Sequence, residues 1–292
     1  MKAYKGFDKN LQCRGYQYEI GETFEEDDAL LCRKGFHACE YPLDCFGYYA
    51  PASSRYCEVE IEDNGERNSG DTKVCGKKIR IGAEVDIKEL IRAASAYVKA
   101  HCTNTEQGQD RCCLTGGYRS ALTGGDRSAL TGGNWSALTG GYRSALTGGC
   151  RSALTGGDIS ALTGGGSSAL TGGNWSALTG GDSSALTGGD DSALTGGYRS
   201  ALTGGCRSAL TGGDSSALTG GDRSALTGGD RSVVYGGENA KVRAGIGSVL
   251  ALQYWADCKF VGVKCKAVDG KKIKANTWYR LDKAGRFIEA RE

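Results

Sequence analysis

LTGGDRSALTGGDRSV, residues 218–233, contains two copies of an eight-residue phrase that decides the fold. LTGG recurs fifteen times at a strict spacing of eight, from Leu114 to Leu226, before Val234-Tyr235-Gly236-Gly237 changes the wording. Written from its extended part, the unit is Ser-Ala-Leu-Thr-Gly-Gly-x-x, with only the last two letters free to vary. A helix is excluded, because a Gly-Gly pair in every copy would cost about 2 kcal/mol relative to alanine. Four residues suffice for one short strand, and the two glycines are expected to supply the positive φ angles of a tight turn. Side chains alternate along a strand, so Ser and Leu share one face and Ala and Thr the other. Leucine is the only large apolar residue of the unit, so the Ser/Leu face should point inward. The reverse choice would expose a ladder of leucines to water.

One unit encloses nothing, so the chain must coil. Two units per coil give two strands and two corners in sixteen residues, a flattened β-solenoid. Sixteen units then make eight coils, about 38 Å of rod at the usual strand spacing. A triangular coil of three units is the alternative. The two-unit register stacks Arg119, Trp135, Arg151, Ser167, Ser183, Arg199, Ser215 and Arg231 along one corner. It places Arg127 on Arg143 and Arg207 on Arg223 along the other. Cys150 and Cys206 fall on opposite corners, about 17 Å apart along the axis. That separation forbids a disulfide between them.

The flanks carry different patterns, which divide the chain into residues 1–101, 102–250 and 251–292. The first segment reads as an α+β domain ending in a helix that caps the solenoid. Thr23-Phe24-Glu25-Glu26 has capping-box spacing, so Ala29 to Cys32 is expected as a short helix stopped by Gly35. Pro42 opens another short helix. Residues 55–63 alternate as a strand, with Tyr56, Glu58 and Glu60 on the wet face and Cys57, Val59 and Ile61 inside. Lys78 to Ile81 gives a second strand, and residues 86–100 an amphipathic helix. The repeat reaches back to Asp110-Arg111-Cys112-Cys113 and decays through Ile246 to Leu250, as terminal units of a stack should. The last segment is expected to be a β-meander cap. Its signals are loose alternation from Cys258 to Val268, a two-residue hairpin at Asp269-Gly270, a strand over Thr277–Leu281 and a turn at Asp282–Gly285.

Charge narrows the function. Residues 114–237 hold eight Arg and eight Asp, a neutral tract that argues against nucleic-acid binding by the repeats. The C-terminal lysines Lys264, Lys266, Lys271, Lys272 and Lys274 read as solvent-facing strand and turn residues. MKAYKGFDKN has no apolar signal region, and no stretch reaches the length of a membrane span. The expected setting is therefore a reducing compartment, without secretion by a signal peptide. Thirteen cysteines in that setting are expected as free thiols. Cys32, Cys39 and Cys45 near His37 lack the paired spacing of a zinc knuckle, so no metal or other cofactor is expected.

Three resemblances add to this. LTGGYRSALT (114–123) resembles the octapeptide of bacterial ice-nucleation proteins, whose outward Thr-x-Thr motif implies a water-ordering surface. Here the motif is Ala121-Leu122-Thr123. The wording of YKGFDKNLQCRGYQYEIG (4–21), GFHACEYPLD (35–44), SRYCEVE (54–60) and VDGKKIKANTWYRLDKAGRFIE (268–289) is similar to that of uncharacterised bacterial and phage or prophage proteins. That likeness implies a mobile-element protein, located in the cytoplasm of a bacterial host or associated with a virion, and assigns no activity. Tyr4-Lys5-Gly6, Gly35-Phe36-His37-Ala38 and Glu58-Val59-Glu60 are similar in pattern to ADP-ribosyltransferases, which implies a glutamate-assisted transfer in the N-terminal domain. Lys5 stands where that family has arginine, and its Ser-Thr-Ser strand is missing.

Only His37 and His101 are available as imidazole bases, and the sequence supports no argument for a Ser/His/Asp arrangement. The reading the sequence favours is a non-catalytic scaffold or binding module. Its candidate contact residues are the variable corner positions Tyr118, Arg119, Trp135, Tyr142, Arg143, Trp175, Tyr198 and Arg199, since recognition concentrates on loops that vary over a constant frame. The expected partner is a protein or a second copy of the chain. A water-ordering solenoid and an ADP-ribosyltransferase-like enzyme are the alternatives.

Overall fold

A sixteen-residue register governs the computed structural model, which describes residues 1–67, 70–256 and 259–291. Ala121, Leu122 and Thr123 lie beside Ala137, Leu138 and Thr139, and the same parallel pairing repeats strand by strand. Alternate units form a second sheet in the same register. The coil therefore has two units, not three. Each sheet has eleven strands, and both close in antiparallel strands at the C-terminal end. Val249–Ala256 pairs with Lys259–Ala267 in one sheet, and Lys241–Ala244 with Tyr279–Leu281 in the other. Such reversals leave no parallel edge at that end for a further coil to extend. At the opposite end, Asn104–Gln107 is exposed throughout, and Cys113–Thr115 is exposed except for half-buried Leu114.

The leucines form the core. Every repeat leucine from Leu122 to Leu226 is 0–1% exposed, and the stack continues through Val234, Val242 and Leu250. The serines beside them are buried as well, so the inward Ser/Leu face is as expected. The outward walls differ between the sheets. Ala137, Ala153, Ala169, Ala185 and Ala201 are buried on one, whereas Ala129, Ala145, Ala161, Ala177, Ala193 and Ala209 are exposed on the other.

The corners are built differently from expectation. No glycine of the Gly-Gly pairs has a positive φ; the second variable residue adopts it instead, at 54° to 61° in every unit from Arg111 to Asn239. The glycines are required by space. A Cβ on Gly140 would sit 2.6 Å from Ser144 Cβ and 3.0 Å from Leu146 Cδ2, so the first glycine lets the corner close over the core. A Cβ on Gly141 would strike Asp126 of the coil before it.

Contact density separates residues Met1–Tyr97 from Val98–Glu292. In the first unit, five antiparallel strands are ordered Thr23–Glu25, Lys73–Glu84, Phe36–Cys39, Lys2–Asp8, Ser54–Asp63. Ser54–Asp63 pairs again with Lys73–Glu84, which closes four of them into a ring around Phe7, Phe36, Val59, Ile61, Val74 and Ile79. The short helix expected near Ala29 does not form. Thr23–Glu25 is a strand paired with Lys78–Arg80, and Leu30 bridges Lys34 in a tight turn before Gly35 at φ 80°. Sheet pairing here overrides the local capping pattern. Tyr56 is buried rather than wet, its hydroxyl donating to the Tyr49 carbonyl at 2.5 Å. Pro42–Gly47 is a 3-10 helix and Ile87–Ala100 an α-helix, as expected.

In the C-terminal segment, Asp269-Gly270 does not join paired strands. The Asp269 carboxylate instead accepts from the backbone N–H groups of Lys271, Lys272 and Ile273, holding a loop. The turn at Asp282–Gly285 joins Tyr279–Leu281 to Phe287–Glu289 as expected. Cys258 lies outside the described residues; the other twelve cysteines are free thiols. Among the described residues no helix is long and apolar enough to cross a membrane.

Candidate functional site

The corner residues are fixed from below. Where the first variable position is Asp or Asn, its side-chain oxygen accepts the backbone N–H of the equivalent residue one coil later. Asp126 accepts from Tyr142 at 2.9 Å, Asn134 from Cys150 at 2.9 Å and Asp182 from Tyr198 at 2.8 Å. The backbone of the second variable position donates along the stack too, as Arg143 does to the Asp158 carbonyl at 2.9 Å. The corners are rigid edges, and the variable pair takes part in building them. The signal was available in the sequence as the frequency of Asp and Asn at the first position only.

The eight candidate contact residues do not gather at one place. Tyr118, Arg119, Trp135, Tyr198 and Arg199 line the corner that also carries Cys150, while Tyr142, Arg143 and Trp175 line the one with Cys206. Of their aromatic rings, Tyr118 and Trp175 are the most exposed, at 57% and 59%. Arginines lie over the rings beside them: Arg119 on Tyr118 at 5.3 Å, Arg143 on Tyr142 at 5.0 Å and Arg199 on Tyr198 at 4.8 Å. Arg151 reaches across one coil to Trp135 at 5.2 Å. Tyr118 with Arg119 and Trp135 with Arg151 thus stack as two aromatic–cation pairs along successive coils of one corner. On the other corner, Arg207 makes a two-pronged bond to Asp191 of the preceding coil.

A second candidate lies in the N-terminal unit and escaped the sequence reading as a whole. Tyr4-Lys5-Gly6 and Gly35-Phe36-His37-Ala38 come together on the wall of a cavity of about 580 Å³. Adjacent antiparallel strands bring them there, with Tyr4 opposite Cys39. Glu58 and Glu60, the third part of the transferase-like pattern, are not among its lining residues. Glu58 pairs with Lys2 at 2.8 Å, and Glu60 lies near Arg80 at 3.9 Å. His37 Nε2 accepts the N–H of Cys32 at 2.8 Å, which pins the turn that carries Cys32. Burial first, then the neighbouring charges of Lys5 and Lys73, hold the His37 imidazole below its ordinary value. Lys73 Nζ sits 3.2 Å from Cys32 Sγ and 4.2 Å from the centre of the Tyr48 ring. Cys39 and Cys45 are buried, and the bond to Cys45, then burial, pushes the Cys39 thiol up.

The architecture defines a class: a β-solenoid of octapeptide repeats with a separate small domain bearing a pocket. Residues 1–93 match the model of a family described as a domain of unknown function, DUF7666. No curated protein and no solved structure matches the chain.

Proposed function

We propose that the protein is a non-catalytic binding module of phage or mobile-element type, whose solenoid displays recognition residues along its corners to a protein partner. The observation that carries this is the strip of aromatic rings and arginines, exposed at Tyr118 and half-buried at Arg119, Trp135 and Arg151, on an edge held coil to coil by backbone bonds. Tyr, Trp and Arg dominate binding hot spots, and a fixed backbone spares the ordering cost that weakens flexible binders. The wording of its flanks supports a place in a bacterial host's cytoplasm or in a virion.

Photo-crosslinking in the native source tests this. A benzophenone side chain at Tyr118 or Trp175 is expected to give a discrete protein adduct, and one at Thr163 on the exposed wall to give none. Adducts equally abundant at all three positions, or absent at the corners, refute the reading.

The exposed wall supports a second reading, a water-ordering surface. On one sheet Ala and Thr stand bare in six successive coils, from Ala129 and Thr131 to Ala209 and Thr211, in strict parallel register. Inhibition of ice recrystallisation by the full chain, lost when Thr163 and Thr179 become leucine, is the expected outcome on that reading. Inactivity at high protein concentration removes it.

A further inference from the structure

The cavity of the N-terminal unit has a floor that is hard to explain without a ligand. Lys5 is 5% exposed, yet no described carboxylate lies within ion-pair distance. Its Nζ donates to the His37 carbonyl at 2.8 Å; its other described neighbours are the Cys13 sulfur at 3.7 Å and the faces of Phe7 and Tyr18. One carbonyl, a thiol and two ring faces compensate a buried ammonium poorly, and a buried charge without an opposite charge is costly. The rest of the lining increases the excess. Arg14, Arg33, Lys34 and Lys73 join Lys5 there, against Glu26 alone. His37 registers the field of both Lys5 and Lys73, so the two ammonium groups act on the same space.

The walls are aromatic. Tyr16 and Tyr48 line the cavity while staying 40% and 46% exposed; Lys73 lies over one face of Tyr48 at 4.2 Å and Tyr16 packs against Tyr18, Phe24 and Phe36, so a planar group would use what these neighbours leave uncovered. A volume of about 580 Å³ is within the range of small-molecule sites.

We propose that this cavity binds a nucleotide, with its phosphates drawn to Lys5 and Lys73 and its base stacked against Tyr16 or Tyr48. Five cationic side chains against one carboxylate favour a multiply charged phosphate over a single carboxylate. Aromatic faces beside them suit a base. The site stands apart from the corner reading, and either one holds if the other fails.

Calorimetric titration of the full chain tests it, with AMP, ADP, adenosine, pyrophosphate and benzoate as probes. ADP is expected to bind, with adenosine and pyrophosphate each at least ~10-fold weaker, since each lacks one half of the recognition. Lys5→Met is expected to weaken ADP at least ~10-fold with an unchanged circular-dichroism spectrum, and Tyr16→Ser to erase the preference of ADP over pyrophosphate. Should Lys5→Met fail to fold, Lys73→Met on the cavity wall gives the same reading. Failure of both AMP and ADP to bind overturns the proposal. So does ADP affinity unchanged in the folded lysine variants, or pyrophosphate or benzoate binding as tightly as ADP.

Discussion

At the scale of single residues, each letter of the repeat answers a separate constraint. The second variable position is held at φ near 57° whatever occupies it, including Ile159 at 60°. An L-residue there costs about 1–2 kcal/mol, and a β-branched one is the worst tenant. Ile159→Asn is therefore expected to stabilise the solenoid by about 1 kcal/mol, whereas Ile159→Val leaves it nearly unchanged. Urea unfolding followed by circular dichroism reads both; a destabilised Asn variant would contradict the strain argument. The inward serine is equally specified. Ser216 Oγ accepts the buried N–H of Ser200 at 3.2 Å and donates to the Gly197 carbonyl at 3.2 Å. Ser216→Ala strands that N–H inside the rod and is expected to cost about 1–3 kcal/mol, although it removes only one oxygen. A loss below about 0.5 kcal/mol, the range of an ordinary surface change, would show that the serine ladder is dispensable.

At the scale of the coil, stability comes from neighbours above and below. Leu178 is 1% exposed between Leu162 and Leu194, whereas Leu114 in the first complete strand is only half-buried. Leu178→Ala is expected to cost about 2–5 kcal/mol. Leu114→Ala should cost clearly less, because a stack with nearest-neighbour coupling is weakest at its ends. Thermal melts of the two variants side by side check the ranking, and equal losses would mean that the first coil is as well supported as the middle. This repetition made the solenoid legible: period, inward face, corner columns and the opposite placement of Cys150 and Cys206 all follow from one spacing of eight. The glycine role was misread because Gly-Gly signals either left-handed backbone or close approach, and only packing distinguishes them. The capping role of Asp126, Asn134 and Asp182 was hidden because it joins residues sixteen apart, through a side chain the repeat allows to vary. In the N-terminal unit no period exists, and the capping-box pattern at Thr23 lost to a strand partner more than fifty residues away at Lys78–Arg80. The cavity was invisible for the same reason, since its wall is assembled from segments as distant as Lys5, His37 and Lys73.

At the scale of the whole molecule, the two units have different chemistry and should respond differently to acid. Met1–Tyr97 contains His37, whose folded form resists protonation because of burial and the charges of Lys5 and Lys73. The unfolded chain, at the ordinary value of 6.5, takes up the proton more readily. Stability from this group is therefore complete above pH 6.5 and is lost as pH falls from there through the depressed folded value. Protonation also removes the acceptor for the Cys32 N–H, since Nε2 then becomes a donor. The carboxylates of this unit held below their usual range, Asp63 by Arg67 and Glu84 by Arg55, lose their contribution only as pH falls below about 4, which separates the windows. The unfolding midpoint of the N-terminal unit, followed by hydrogen exchange at residues 30–39, should therefore begin to drop as pH falls below 6.5, before the carboxylates titrate. His37→Gln, which can accept the same N–H at every pH, should flatten that dependence. The lysines that depress His37 are the ones assigned to the nucleotide, so ADP phosphates should raise the imidazole's proton affinity when bound. The histidine titration observed by NMR should then move to higher pH on adding ADP and stay put on adding adenosine. A titration indifferent to ADP would separate His37 from any anion in the cavity.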